Sequence, residues 1–394
     1  MSGDGHRTIA VDARYLSAPF GSLTVYCGNL LRALAGLPDV RPVALVSGPL
    51  DPSANELRAE LADRVRWVAP SSSGPGSGTR WELWWVHRAL PSLARQAGAE
   101  QLLITYANTP IRARGLHRTA IVHDLCGLGE GFPRTKKAFW LHLMRLTAAS
   151  RFADEIWPIS EATRRELLAR FPRAERRIGP TVYNGVETVA ADAAQVERTL
   201  EGYGLERGAY VVAFATDQAR KNFGTTLAAL AQLDGRRGQA PRLVGIAPPG
   251  EVAAMRERCR DAGLRDPLLV SAVEEPIRDA LYAGALALLW PSTCEGFGYP
   301  VAEAMAQGCP PLVWRTGPAA EIVGRAIEPL PDLDPSRLAE RIEALGRLDP
   351  AERDQLADRL RRQAGRFSLA AHREALAAAL SHDRGGRITR APVR

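Results

Sequence analysis

The order of residues between Ala283 and Gly308 leaves few folds open to this chain. The apolar run Ala283 to Trp290 has no polar alternation, which predicts a strand buried on both faces. Pro291 stops it. Gly296 and Gly298 permit backbone conformations closed to other residues, so a tight loop follows. Pro300 suits the first helical position, where a missing N–H costs nothing. Ala302 to Gln307 are good helix formers, and Gly308 with Pro310 ends the helix. Strand, glycine loop and helix make one step of an α/β fold.

Such a unit exposes free N–H groups at a helix start, which favours an anion such as a phosphate. It also carries two carboxylates, Glu295 in the loop and Glu303 in the helix. A diphosphate repels carboxylates, so these groups are better placed on hydroxyls. A diphosphate flanked by hydroxyl-rich groups is a nucleotide sugar. The plainer alternative is a solvated loop glutamate and a helix glutamate near a favourable dipole.

The segment Glu295-Gly-Phe-Gly-Tyr-Pro-Val-Ala-Glu303-Ala-Met-Ala-Gln-Gly-Cys-Pro310 resembles the E-x7-E signature of retaining GT-B glycosyltransferases of family 4. Further family-like pieces follow in the expected order along nearly the whole chain. The resemblance implies two doubly wound Rossmann-like domains facing across a cleft, with a C-terminal helix crossing back to the first.

Length and composition agree with two domains. The chain has 394 residues, of which 46% are hydrophobic and 24% charged, ordinary values for a globular protein with full cores. No apolar stretch approaches a membrane span, and Met-Ser-Gly-Asp-Gly-His is no signal peptide. The five cysteines form no C-x-x-C pair and read as thiols of a reducing cytoplasm. The histidines form no H-x-x-x-H pair, so no metal site and no cofactor is expected. A net charge of +7 suits anionic partners. No nucleic-acid-binding motif accompanies it, so nucleic acid is not an expected partner.

The first domain is expected over residues 1–190, completed by 367–394. Strands are predicted over Thr8–Ala13, Val43–Ser47, Val65–Val68, Gln101–Thr105 and Thr119–Asp124, and Asp154–Ser160 resembles the family's strand and helix cap (Ser160) before the interdomain hinge. Gly21, in the loop before a helix over Thr24–Leu34, holds the place of the family's Gly-x-Gly approach to the donor diphosphate. Leu23 stands where a second glycine is common. Ser22 or Thr24 is the expected N-cap. Trp81, Trp84 and Trp85 fall at helical spacing and are read as packing rather than a carbohydrate platform. His123 resembles the family histidine at a strand's C-terminal end, near the donor sugar; Asn108 holds a similar position. Residues 133–151 form a basic helix with interleaved aromatics. It is read first as a solvated face and second as peripheral contact with a membrane or lipid-linked acceptor.

The second domain is expected over 191–366, after an Ala-rich linker at 187–195. Its strands are predicted over Tyr210–Ala215, Leu243–Ala247, Leu269–Val273 and Leu312–Gly317. Arg220 and Lys221 lie just before a helix start, a fitting seat for a diphosphate. They match the family's Arg-Lys element, although Ala215 stands where many relatives carry another arginine. Val273 begins the segment resembling the family's backbone contact to the nucleobase.

The resemblance thus implies a metal-independent, retaining glycosyltransferase of the cytoplasm or the inner face of its membrane. It would move a hexose from GDP-mannose or a UDP- or dTDP-sugar to a saccharide, a lipid-linked saccharide or a small natural product. The catalytic set is His123, Arg220, Lys221 and Glu295; the donor-binding set is Gly21, Val273, Glu295, Gly296, Phe297, Gly298, Tyr299 and Glu303. A sugar-nucleotide epimerase and a non-catalytic sugar-nucleotide or glycan-binding protein are the rival readings.

Overall fold

A computed structural model describes residues 6–18, 21–72, 74–129, 135–237, 240–271 and 273–385. The chain divides into two compact units. Among the described residues, the first comprises those within 6–185 and 369–385, the second those within 186–368.

The first unit is built on six strands: β1 (Arg7–Asp12), β2 (Val40–Leu45), β3 (Arg66–Val68), β4 (Gln101–Ile104), β5 (His117–Val122) and β6 (Glu155–Pro158). They run parallel in the order β3-β2-β1-β4-β5-β6. Order reverses between β1 and β4, and ligands of open α/β sheets bind beyond the strand C-termini at such a reversal. Ile9, Ala10 and Val11 are fully buried, as expected of a strand covered on both faces. One face packs Ala10, Val43, Leu45, Leu102 and Ile104 against Trp85, Val86, Leu90 and Leu93. Farther along the same face, Ala120, Val122 and Ile156 pack against Leu146, Ala149 and Leu167. The tryptophans are packing residues: Trp85 is wholly buried and stacks on Trp81 with ring centroids 5.7 Å apart.

The last helix, Leu369–Gly385, belongs to this unit and lies on the helix Ser22–Ala35. His372 Nδ1 binds the Tyr183 carbonyl, and the Arg7 guanidinium reaches the Leu380 carbonyl at 3.0 Å.

The second unit has five parallel strands: β7 (Tyr210–Phe214), β8 (Arg242–Ile246), β9 (Leu268–Val270), β10 (Ala287–Trp290) and β11 (Pro311–Val313). Their order is β11-β10-β7-β8-β9, so the reversal falls between β7 and β10.

Three local expectations are corrected. The strand expected from Ala283 starts only at Ala287, because Ala283 and Gly284 finish the helix Glu275–Gly284. A short apolar run does not distinguish the end of a helix from the start of a strand. Part of the expected linker is helix: Ala193–Tyr203 is capped by the Asp192 side chain and ended by Gly204 in the left-handed region. The helix Ser22–Ala35 takes Gly21 as its N-cap rather than Ser22 or Thr24. Gly21 has φ +50°, yet a Cβ there would meet nothing within 4 Å. Backbone conformation, not space, therefore asks for glycine.

Candidate functional site

In the second unit the chain leaves β7 through Ala215 and Thr216 to a single turn, Ala219–Lys221, before the helix Phe223–Arg237. It leaves β10 through Pro291 and Ser292 to the glycine loop and the signature helix Tyr299–Ala306. Adjacent strands deliver both loops to the same end of the sheet. Thr293 N–H donates to the Arg220 carbonyl at 2.8 Å, locking one loop to the other.

The geometry joins Arg220, Lys221 and Glu295. Glu295 Oε1 accepts from Lys221 Nζ at 2.7 Å, Arg220 at 3.1 Å and Ser292 Oγ at 2.6 Å. Oε2 is left without a partner among the described residues. The same guanidinium donates to the Cys294 carbonyl at 3.2 Å. Lys221 Nζ sits 4.0 Å from the Trp290 ring centroid, a cation–π contact. Burial lowers the Lys221 pKa from its ordinary value, against the pull of Glu295. The cluster is thus two cations on one carboxylate oxygen, with the other oxygen open to a hydroxyl donor. Ala215, where the resemblance leads one to expect an arginine, is fully buried.

Gly298 caps the signature helix with φ +105°, a conformation that suits glycine alone. The first N–H groups of any helix lack intrahelical partners. Phe297 and Tyr299 are buried, with ring centroids 5.3 Å apart, and Phe297 also meets Phe367 at 5.8 Å. Their rings pack, so what this segment offers an anion is backbone. Val273 follows β9 and is partly exposed.

Glu303 lies in the signature helix, apart from Glu295's ion pairs. Burial pushes its carboxyl up to about 7, against the opposing pull of Arg278, with Asp279 and Glu275 adding to the rise. Arg278 Nε stands 3.5 Å from Glu303 Oε2. Neither Arg278 nor Ser292 was signalled by the sequence. An arginine in an amphipathic helix and a serine after a strand are ordinary until the fold brings carboxylates to them.

Gly21 and His123 belong to the first unit. His123 follows β5, its Nε2 is 2.9 Å from the Thr105 carbonyl, and its ring meets Tyr26 edge-on at 4.7 Å. A carbonyl only accepts, so Nε2 carries the proton and Nδ1 the lone pair. Burial lowers the imidazole's pKa to about 4, leaving a neutral ring at physiological pH. Asn108 is engaged: its Nδ2 donates to Glu82, which also binds Arg145. At the end of β1, buried Asp12 accepts from Arg14 and from Trp85 Nε1 at 3.0 Å, a network the sequence did not announce.

The basic helix is described over Lys136–Phe152; Pro133 and Arg134 lie outside the described residues. His142, Leu146 and Ala149 face inward, while Lys136, Lys137, Trp140 and Met144 are exposed. Among the described residues no helix is long and apolar enough to cross a membrane. No group of three His, Cys, Asp or Glu among them is placed to hold a metal ion.

Comparison with known proteins agrees with this architecture. Residues 208–347 match the family model described as Glycosyl transferases group 1. No curated protein matches. Among similar solved structures is HepE from Anabaena, crystallised with UDP and glucose, at 18% identity and TM-score 0.73, covering 96% of this chain and 100% of its own. Sucrose-phosphate synthase from Thermosynechococcus elongatus gives 18% identity and TM-score 0.73 over 96% and 100% of the two chains. TarM from S. aureus, crystallised with fondaparinux, alpha-GlcNAc-glycerol and UDP, gives 10% identity and TM-score 0.68 over 95% and 99%. The chain has the GT-B glycosyltransferase fold, and residues 208–347 of its second unit match the group 1 glycosyl transferases.

Proposed function

We propose that this protein is a retaining, metal-independent hexosyltransferase using a nucleotide-diphospho-sugar. The observation that carries the reading is the joining of Arg220, Lys221 and Glu295 beyond the ends of β7 and β10, beside the signature helix start. The two cations and the helix N-terminus suit the diphosphate, while Glu295 Oε2 suits a hydroxyl of the transferred sugar. Glu303 takes the ribose hydroxyls. No side chain in the cluster is a convincing nucleophile, which supports front-face displacement with a phosphate oxygen taking the acceptor's proton. Arg220 and Lys221 then stabilise charge growing on the leaving diphosphate.

UDP, held by HepE and TarM, is the first nucleotide to test, with GDP and dTDP beside it. The acceptor is a saccharide, free or lipid-linked, or a small natural product, and the protein works in the cytoplasm or at the inner face of its membrane. The deciding experiment is a thermal-shift screen of nucleoside diphosphates, followed by donor turnover with and without acceptors. Ligand at a hundredfold its Kd stabilises by about 2.7 kcal/mol. Tight binding without turnover of any kind would point to a binding protein; donor consumption with no acceptor would point to an epimerase.

A further inference from the structure

One guanidinium in the second unit stands among three carboxylates. Arg278 Nη2 lies 3.5 Å from Glu275 and 3.4 Å from Asp279, and Arg278 Nε lies 3.5 Å from Glu303. The first two contacts stay within its own helix, Glu275–Gly284; the third crosses to the signature helix. Arg278 Nε is buried and makes no hydrogen bond, so its tie to Glu303 is an ion pair with room to shorten.

Burial and the neighbouring carboxylates work against the charge of Glu303. Burial removes water from the carboxylate, and Asp279 and Glu275 repel it. From the helix Glu275–Gly284 the buried Tyr282 hydroxyl also faces it. From the helix Pro350–Ala364, Arg361 is spent near the Gln307 carbonyl, 3.5 Å away. The helix Pro318–Val323 carries Glu321, and β10 and β11 carry no charge. Among the described residues, Arg278 is the cation that favours the charged form of Glu303 against this rise.

We propose that Arg278 is a positioning residue for the donor: it favours the carboxylate form of Glu303, which accepts hydrogen bonds from two ribose hydroxyls. This rests on the donor reading given above. A protonated Glu303 has one acceptor oxygen replaced by a donor, so the nucleotide loses a hydrogen bond where it needs one.

The test is calorimetric titration of UDP and GDP between pH 6 and 9 on wild type, Arg278→Met, Arg278→Lys and Glu303→Gln. In parallel, the Glu303 carboxyl is titrated by carbon-13 NMR without nucleotide, its signal assigned by its loss in Glu303→Gln. Wild-type affinity is expected to rise with pH through about 7 and then level off. Arg278→Met should move that rise up by a pH unit or more, weakening binding about fivefold or more at pH 7 and little at pH 9. Arg278→Lys should restore the wild-type profile, and Glu303→Gln should flatten it. Arg278→Gln replaces the methionine variant if that one does not fold. A loss of affinity equal at pH 6 and 9, or a Glu303 titration unmoved by losing Arg278, overturns the proposal and leaves the donor reading intact. Failure of wild type to bind any nucleoside diphosphate overturns both.

Discussion

Replacing Lys221 by alanine tests the leaving-group cluster most directly. Arg220 and Lys221 contribute one positive charge each and Glu295 one negative, a net of +1 shared through Glu295 Oε1. Lys221→Ala takes the net to zero, whereas Glu295→Gln takes it to +2. A unit charge about 4 Å from another is worth about 4 kcal/mol at an effective dielectric near 20. Lys221 is largely shielded from water, at 14% side-chain exposure, so solvent screening does not erase that figure. Losing one such stabilising group costs about 10²- to 10³-fold in turnover. We expect that loss in kcat for Lys221→Ala, with UDP or GDP binding weakened about tenfold. Glu295→Gln should behave oppositely toward the sugarless ligand, binding it several-fold tighter, while turnover falls because Oε2 no longer accepts from the sugar. Initial rates at varied nucleotide sugar, with calorimetric titration of UDP and GDP, measure both effects. If Glu295→Gln weakens the diphosphate as Lys221→Ala does, the charge reasoning is wrong.

Three further outcomes are expected. Activity should survive EDTA, since Arg220 and Lys221 supply the positive charge; a strict need for Mg²⁺ or Mn²⁺ in initial-rate assays would refute this. If the exposed face of Lys136, Lys137, Trp140 and Met144 meets an anionic membrane, each lysine contributes about 1 kcal/mol. Changing both lysines to glutamate should then abolish sedimentation with phosphatidylserine vesicles, and absence of wild-type binding would end the idea. Stability should also follow pH. His123 and His372 are held neutral by burial, each with a pKa lowered to about 4, so their contribution is present above about 6.5 and lost as pH falls through 4. Glu303, raised to about 7, contributes with the opposite sign, fully below its unfolded value and lost as pH rises through 7. Two histidines outweigh one glutamate, so Tm should climb from pH 4 to about 6.5; a flat profile in calorimetric melts would contradict it.

Much of this architecture is legible in the chain because its strands are buried on both faces. Ile9-Ala-Val11 and Leu288-Leu-Trp290 carry a signal that needs no partner to be read. The glycine loop is legible for a similar reason: φ +105° at Gly298 is a local demand met by a local residue. What was hidden depends on pairs far apart in sequence. Arg220 and Glu295 could each be placed beyond a strand end, but their sharing of one oxygen with Ser292 follows only once β7 and β10 are neighbours. Arg278 and Glu303 are joined by two helices whose contact no periodicity announces. Trp85 was read correctly as packing, yet its indole N–H seals Asp12, 73 residues earlier in the chain.

The two sheets share one winding, and that resemblance sharpens a difference between them. At the reversal of the first, Asp12 and Arg14 cancel one another, fully covered, and His123 beside them is neutral. At the reversal of the second, two cations answer to one carboxylate and keep a surplus. Among the described residues, a phosphate at the second reversal would meet a counter-charge, and at the first a self-contained ion pair. One winding, made twice, thus carries a surplus cation at one reversal and a cancelled pair at the other.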